Sequence, residues 1–429
     1  MVDSIRFSLS YSQLTQIEHV RGTPLSRLQI KNPNDVVITM ALRTPMCKAR
    51  KGGFKDMRSD ELLFATLKAA SSRIPIPLDQ IDDITVGTVL TPGAAYQARA
   101  ACLAAGFKER TPVQVINRFC SSGLMAVSGV ANQIRNQEIE CGLAVGFESM
   151  TANPDRGISE TGFCEAIMAD PVAADCIHPM GWTSENVAKE FNISREKMDQ
   201  FALMSHHRAS QAQAKGLFKQ EIMPLETWVS TSPGTDGKPS SREKRIVSDD
   251  DGIRHGSTAE QLAKVRPAFP QWSPSHTTGG NASQITDGGA VVLLMSRRKA
   301  EELKCEILAK YIRTDVVGLS PRIMGIGPSL AIPKLLAKVG LTIENVDLFE
   351  INEAFASMYV YCVEKLKVPI EKVNVNGGAI ALGHPLGCTG ARQVTTGLHE
   401  LRRRRGKVLV TSMCIGLGMG AAGLILAEY

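Results

Sequence analysis

Residues 113–134 read VQVINRFCSSGLMAVSGVANQI, and this stretch decides the fold. Val113–Ile116 is a short β-prone run that halts at Asn117. After Cys120-Ser-Ser-Gly123, the apolar residues Leu124, Val127, Val130, Ala131 and Ile134 form one face of a helix that packs closely through small residues. Gly142-Leu-Ala-Val-Gly146 is the next central strand. A similar order recurs near the C-terminus: a strand at Val373–Val375, a Gly-rich loop from Asn376 to Pro385, a helix from Thr389 to Arg402, and a strand at Val408–Ser412. In each case an Asn opens the loop and the loop carries a reactive side chain, Cys120 in one and His384 in the other. The pattern predicts two diverged copies of one unit.

Further out, Asp35–Ala41 and Ile84–Val89 read as strands and Gln97–Ala105 as an Ala-rich helix. Val346–Glu350 is a strand and Glu353–Leu366 a helix. Strands alternating with helices predict an α/β fold with parallel or mixed sheets covered by helices. The stretch from 155 to about 280 breaks the rhythm with Pro, Asp, Ser and Gly clusters, notably Ser232–Ser241, around a helix at Arg195–Lys215. It reads as an inserted cap on a rigid scaffold. His206 and His207 lie on that helix, but adjacent residues do not share a helix face, so solvated histidines are expected there. The expected division is an extension at 1–34, a first half at 35–154 plus 245–303, a cap at 155–244, and a second half at 304–429.

Composition narrows the function. At about 150 residues per domain, 429 residues correspond to roughly three domains. With 43% hydrophobic and 21% charged residues this is a globular chain able to bury a large core. The net charge is +6, and Arg402, Arg403, Arg404, Arg405 and Lys407 alone supply five of those charges. No broad nucleic-acid face is expected. These cations stand at the end of the helix from Thr389, where the negative end of the dipole favours them, so a structural role is expected. The ten cysteines contain no C-x-x-C pair, which argues against a zinc ribbon, and no metal site is expected. Val408–Ala427 has no charge and would pass a naive membrane test. Its four glycines argue for two strands instead, since Gly costs about 1 kcal/mol per residue in a helix interior. The first 35 residues hold four basic and three acidic side chains, too mixed for a mitochondrial presequence. Arg6-Phe7 with Gln13-Leu14 resembles an N-terminal peroxisomal signal, so residues 6–14 are a candidate for the peroxisomal import receptor. Cytosol and mitochondrion are the alternative locations.

The chemistry concentrates in a few positions. Cys120 lies where a strand turns into a helix, and the helix N-terminus is expected to lower its pKa toward a thiolate. His384, in a glycine-rich loop stiffened by Pro385, is placed to take the thiol proton. Cys414 precedes Gly416, and such a turn presents N–H groups to a developing oxyanion. Asn352 and Glu353 open a helix after a strand, where side chains point into a cleft. A Cys/His pair alone would suit a protease equally well.

Taken together, Cys120-Ser-Ser-Gly, Asn352-Glu-Ala-Phe, Gly383-His384-Pro385 and Cys414-Ile-Gly416 resemble the four active-site motifs of the thiolases, in that family's order. Gly146-Phe-Glu-Ser-Met, Met180-Gly-Trp-Thr-Ser-Glu-Asn, Arg254-His-Gly and Gly280-Asn-Ala-Ser283 add to the resemblance, which covers residues 35–429. Met324-Gly-Ile-Gly-Pro328 and Ser412-Met-Cys-Ile-Gly look most like the degradative 3-ketoacyl-CoA thiolases of peroxisomes.

The resemblance implies the thiolase fold, two similar halves packed in αβαβα layers with an inserted loop domain, and a homodimer. It implies that Cys120 attacks the 3-keto carbon of a 3-ketoacyl-CoA, that Cys414 serves as the second acid/base, and that coenzyme A then takes the acyl group. Coenzyme A is thus a co-substrate, and no permanently bound cofactor is expected. His384 would activate Cys120 and, with a water held by Asn352, stabilise one oxyanion. The N–H groups of Cys120 and Gly416 would bind the other. Arg254 and Ser283 match positions that contact coenzyme A. Phe119, just before the nucleophile, departs from the residue usual there, which bears on acyl-chain preference. Pro179 stands where some acetoacetyl-specific members carry His, which favours longer substrates. The alternatives are a biosynthetic acetoacetyl-CoA thiolase, an inert acyl-CoA carrier, and a ketosynthase relative, which would normally have Glu or a second His where Cys414 stands.

Overall fold

The computed structural model describes residues 22–157, 162–232 and 241–429. The segment 6–14 and all but the ends of Ser232–Ser241 lie outside the described residues. The strands are β1 (Val36–Arg43), β2 (Cys47–Lys48), β3 (Asp83–Gly87), β4 (Val113–Ile116), β5 (Cys141–Ser149), β6 (Leu225–Ser232), β7 (Ser241–Val247), β8 (Thr286–Ser296), β9 (Ala309–Gly318), β10 (Leu348–Ile351), β11 (Val408–Ile415) and β12 (Met419–Ala427). The longer helices are α1 (Ser59–Ser71), α2 (Ala94–Ala104), α3 (Ser122–Arg135), α4 (Met180–Glu190), α5 (Arg195–Ala214), α6 (Gly327–Ala337), α7 (Ala356–Leu366) and α8 (Thr389–Arg404).

The strand order is β4-β3-β5-β8-β1-β9-β12-β11-β10, and it reads as one pattern repeated about its centre. In the first half β1 pairs antiparallel with β8, β8 antiparallel with β5, and β5, β3 and β4 run parallel. In the second half β9 pairs antiparallel with β12, β12 antiparallel with β11, and β11 runs parallel to β10. A parallel bridge from Phe349 to Val373 stands where β4 stands in the first half. The halves join edge to edge only at Val37↔Lys310 and Ile38↔Ala309.

Strand alternation sorts side chains between the layers. Val37, Leu143 and Val291 face outward onto Leu63 and Leu67 of α1 and Ala98 of α2. Ile38, Ala144 and Val292 face the middle, where Leu124, Val127 and Val130 of α3 meet Ala391, Val394 and Leu398 of α8. Leu409 and Met413 reach the same middle core from the second half, while Phe349, Val410 and Leu424 face outward onto α6 and α7. Five layers result: helix, sheet, helix, sheet, helix. Each large aliphatic side chain buried there contributes about 1.5–3 kcal/mol.

The two central helices meet at their N-terminal ends, backbone against backbone. A Cβ on Gly123 would lie 2.7 Å from Gly387 O and 2.8 Å from Ala391 N, and one on Gly390 would lie 2.3 Å from Leu124 N. Gly146 is equally tight, 2.6 Å from Gly387 O.

Several expectations change on contact with tertiary structure. The expected helix at Glu353–Leu366 begins only at Ala356. Asn352–Phe355 stays out of it because Ser283 N donates to Ala354 O and Ala356 N donates to Asn281 O. The expected strand Val373–Val375 reduces to its one bridge, and the loop Asn376–Pro385 contains a helical turn, Ala379–Leu382. His206 is buried rather than solvated; its Nδ1 accepts the Arg254 N–H and burial lowers its pKa to about 4. The boundary expected between residues 244 and 245 falls inside β7. Val408–Ala427 forms an antiparallel hairpin, and among the described residues no helix is long and apolar enough to cross a membrane. The basic run is structural as expected: Arg403 and Arg404 bond Glu400, Arg402 pairs with Glu306, and Arg405 takes φ 54° to end α8.

Gly123 and Gly129 lie on the same helix, which permits a paired test. Nothing stands within 4 Å of a Cβ on Gly129. Gly129→Ala is expected to stabilise by about 0.5–1 kcal/mol through helix propensity, whereas Gly123→Ala is expected to destabilise by about 1–3 kcal/mol through overpacking against backbone. Urea unfolding of the two variants reads the difference directly.

Candidate active site

Cys120 stands in the turn between β4 and α3, as the strand-to-helix reading expects. The turn is tied by its own side chains. Phe119 N donates to Asn117 Oδ1 at 3.0 Å, Arg118 N donates to Ser122 Oγ at 2.9 Å, and Ser122 Oγ donates to Phe119 O at 2.7 Å. Phe119 itself takes φ 45°, an uncommon conformation for an aromatic residue. Its ring approaches to 3.4 Å of where a Gly416 Cβ would stand, with the Met180 sulfur at 3.7 Å. A Cβ at 416 would stand in ordinary van der Waals contact with both, so the two turns meet closely here without requiring a glycine.

The Cys120 thiol is buried, and the N–H groups of Gly416 and of Cys120 itself face it. Burial nevertheless dominates and pushes the thiol up to about 11, with Asp155 and Glu148 adding to the rise. The expected lowering by the helix terminus is thus overturned: desolvation of a thiolate outweighs two N–H donors. Cys414, at the end of β11, is buried too; burial raises it well above the ordinary thiol range, and Cys120 and Cys362 are the next causes. The two sulfurs feel each other's charge, so the structure brings Cys120, Cys414 and Gly416 together.

His384 is held by Gln284 O, which accepts its backbone N–H at 2.9 Å. Its Nδ1 lies 2.5 Å from Thr389 Oγ1 and its Nε2 lies 3.3 Å from Asn352 Nδ2. Burial, with Arg392 behind it, lowers its pKa to about 3, so the ring is neutral at physiological pH. Asn352 N donates to Ser412 O at 2.9 Å, and Asn352 Oδ1 is buried with no hydrogen-bond partner among the described residues.

Three buried groups missed by the sequence reading brace this arrangement. Glu148 accepts from Val89 N, Leu90 N, Thr88 Oγ1 and Gly387 N, tying the first half to the His384 loop. Arg392 on α8 pairs with Glu350 on β10 at 2.8 Å. Gln393 Nε2 donates to Glu350 O at 3.0 Å and Ser412 O at 3.3 Å, so one side chain spans the strands leading to Asn352 and Cys414. The sequence signal was faint: acids inside apolar strands (Phe147-Glu148, Phe349-Glu350) and polar residues at α8 positions that proved to be buried.

Ser283 N donates to Ala354 O at 3.0 Å, which sets Ser283 beside the Asn352 segment. Arg254 is exposed and its guanidinium donates to Gly279 O at 2.8 Å, on the rim of the same segment. Among the described residues, no group of three or more His, Cys, Asp or Glu side chains is arranged to hold a metal ion.

Known proteins resemble this chain over most of its length. The profile described as "Thiolase, N-terminal domain" matches residues 36–298 and "Thiolase, C-terminal domain" matches residues 305–427. The peroxisomal 3-ketoacyl-CoA thiolase of Homo sapiens is 51% identical over 397 residues, 92% of this chain and 91% of that protein. The crystal structure of the dimeric peroxisomal thiolase of Saccharomyces cerevisiae superposes with TM-score 0.86 at 45% identity, covering 94% of this chain and 100% of that one. The human mitochondrial 3-ketoacyl-CoA thiolase in complex with CoA superposes with TM-score 0.80 at 36% identity, covering 92% and 98%.

A Cys120 thiol at about 11 and a His384 imidazole at about 3 are both neutral at rest. The thiolate absorbance near about 240 nm, taken as wild type minus Cys120→Ala, is expected to stay flat from about pH 5 to about pH 9. A thiolate signal already present at neutral pH would show an ion pair instead.

Proposed function

Because the chain belongs to the thiolase family over residues 36–298 and 305–427, we propose a catalytic cycle in which Cys120, His384, Asn352, Cys414 and Gly416 each hold a defined role. The enzyme is a peroxisomal acyltransferase that cleaves 3-ketoacyl-CoA with coenzyme A, giving acetyl-CoA and a shortened acyl-CoA for β-oxidation. The observations that support the assignment of roles are the neutral His384 against Asn352, the thiol facing the Gly416 N–H, and the backbone approach of the two loops at Gly123 and Gly387.

In the first half-reaction His384 Nε2 takes the Cys120 proton as the sulfur attacks the 3-keto carbon. The tetrahedral oxyanion accepts hydrogen bonds from the N–H groups of Cys120 and Gly416. Collapse breaks the bond between C2 and C3, and its electron pair goes to C2. The resulting enolate oxygen is stabilised by protonated His384 and a water held by Asn352, for which the unpartnered Asn352 Oδ1 supplies an anchoring acceptor. Cys414 protonates C2, acetyl-CoA departs, and the acyl group remains on Cys120. Before the second half-reaction the proton on His384 returns to the Cys414 thiolate. Neutral His384 then takes the proton of coenzyme A, whose sulfur attacks the acyl carbonyl, and Cys120 leaves and is reprotonated by His384. The raised pKa of Cys414 suits an acid that must hold its proton until a carbanion develops.

Arg254 and Ser283 are assigned to coenzyme A contacts, and no other cofactor is assigned. We assign the chain to a homodimer, as in the yeast relative, and residues 6–14 to recognition by the import receptor. The halves are taken as 35–154 plus 248–303 and 304–429, around a cap at 155–247 that keeps the β6–β7 hairpin whole.

Cys120→Ala is expected to abolish both turnover and the acyl adduct seen by intact mass. Cys414→Ala is expected to lose about 10²–10⁴-fold in cleavage of 3-ketoacyl-CoA while still exchanging labelled coenzyme A with acyl-CoA, because only carbon–carbon cleavage needs the second acid. With substrates of graded length, turnover confined to acetoacetyl-CoA would overturn the degradative direction. Residues 1–35 fused to a fluorescent reporter are expected to reach peroxisomes, and a diffuse signal would remove their targeting role.

A further inference from the structure

We propose that Thr389 is the positioning residue of this site, completing a Cys120–His384–Thr389 relay by holding the imidazole in the tautomer whose bare Nε2 acts as the base. The inference rests on the acyl-enzyme reading above and deepens it.

The argument is a count of protons. A threonine hydroxyl has one to donate. The Thr389 hydroxyl donates to Pro385 O at 3.1 Å. The 2.5 Å contact between Thr389 Oγ1 and His384 Nδ1 also needs a proton, and with the hydroxyl's own committed it must come from Nδ1. A neutral imidazole carries only one N–H, so Nε2 is left with a lone pair. The other side of the ring agrees independently: the group facing Nε2 is the Asn352 amide nitrogen, a donor, at 3.3 Å.

The hydroxyl is also fixed in space. Thr389 is buried, opens α8, and donates its own backbone N–H to Pro385 O at 3.0 Å. A β-branched side chain at that position has few rotamers to choose from. Ring and hydroxyl therefore belong to one short loop, with four residues between His384 and Thr389. When His384 takes the Cys120 proton, the Nδ1–H···Oγ bond becomes charge-assisted and strengthens, so Thr389 favours the state that proton transfer creates. The role is that of the third group in a nucleophile–base–orienter arrangement, filled here by a hydroxyl rather than a carboxylate.

Because Thr389 acts on the base, its loss reaches both half-reactions, which separates it from Cys414. Thr389→Val keeps the shape and removes the hydroxyl; Thr389→Ser keeps the hydroxyl. Val is expected to lower kcat for cleavage and the rate of labelled coenzyme A exchange together, each about 10- to 100-fold, with KM changed less than about twofold, and Ser to recover most of both. In wild-type enzyme labelled with ¹⁵N-histidine, His384 is expected to show its proton on Nδ1. Val with wild-type rates, Ser no better than Val, or a proton found on Nε2 would each overturn the proposal, and the spectrum decides even if Val does not fold. His384→Gln separates the two levels: if it keeps full activity, the acyl-enzyme roles themselves fail, whereas if it is inactive and Val is not impaired, only the role of Thr389 falls.

Discussion

Everything in the site hangs on the bare-backbone contact between the two central helices. Gly123, Gly146, Gly387 and Gly390 let the Cys120 turn and the His384 loop approach to distances that any Cβ would block. Cys120 and His384 lie more than 260 positions apart in the chain, so no local element could hold them in register. Their relative position is set instead by main chain, the least adjustable part of a protein, and by the shared middle core of Leu124, Val127, Ala391 and Val394. Glu148 closes the contact by accepting Gly387 N from the other half.

Burial then governs the electrostatics. A thiol raised to about 11 and an imidazole lowered to about 3 are both uncharged at rest, despite two N–H groups facing the sulfur. The Gly416 and Cys120 N–H groups already face the sulfur, and the Thr389 hydroxyl oxygen already faces His384 Nδ1, so charge developing on either atom would meet a group oriented toward it. That is preorganisation in its physical sense: dipoles oriented during folding do not have to reorient during reaction. The same desolvation that opposes a standing thiolate therefore strengthens each of those interactions once the reaction begins.

Much of this was legible in the sequence, and what was not fails for identifiable reasons. The duplicated strand–loop–helix–strand pattern at 113–146 and 373–412 survives as matched strand pairings on either side of the β1–β9 seam. Cys120, Cys414 and Gly416 fall together, and so do His384 and Asn352, because their motifs lie at strand ends and in the loops before helices. Asn352–Phe355 was misread as helix because its partners, Asn281 and Ser283, lie some 70 residues away. His206 was misread as solvated because adjacency on a helix reveals nothing about the loop carrying Arg254 that covers it. The Cys120 pKa was misread because a helix terminus is local and visible, whereas the depth of burial is a property of the whole fold. Thr389, Arg392 and Gln393 look like an ordinary polar helix face until α8 is placed between two sheets.

The two-residue seam between β1 and β9 has a bearing on ancestry. With so little edge pairing between the halves, their union depends on the α3 and α8 faces burying each other. A single copy of the unit would leave one helical layer and one sheet face open to water, an apolar area too large for a lone soluble chain. Such a copy would be soluble only in association with a second copy of itself, related by a twofold axis running between the paired helices. Joining two such units in one chain makes their association independent of concentration and leaves each free to differ, one carrying Cys120 at the mouth of its central helix and the other His384 in the loop before its own.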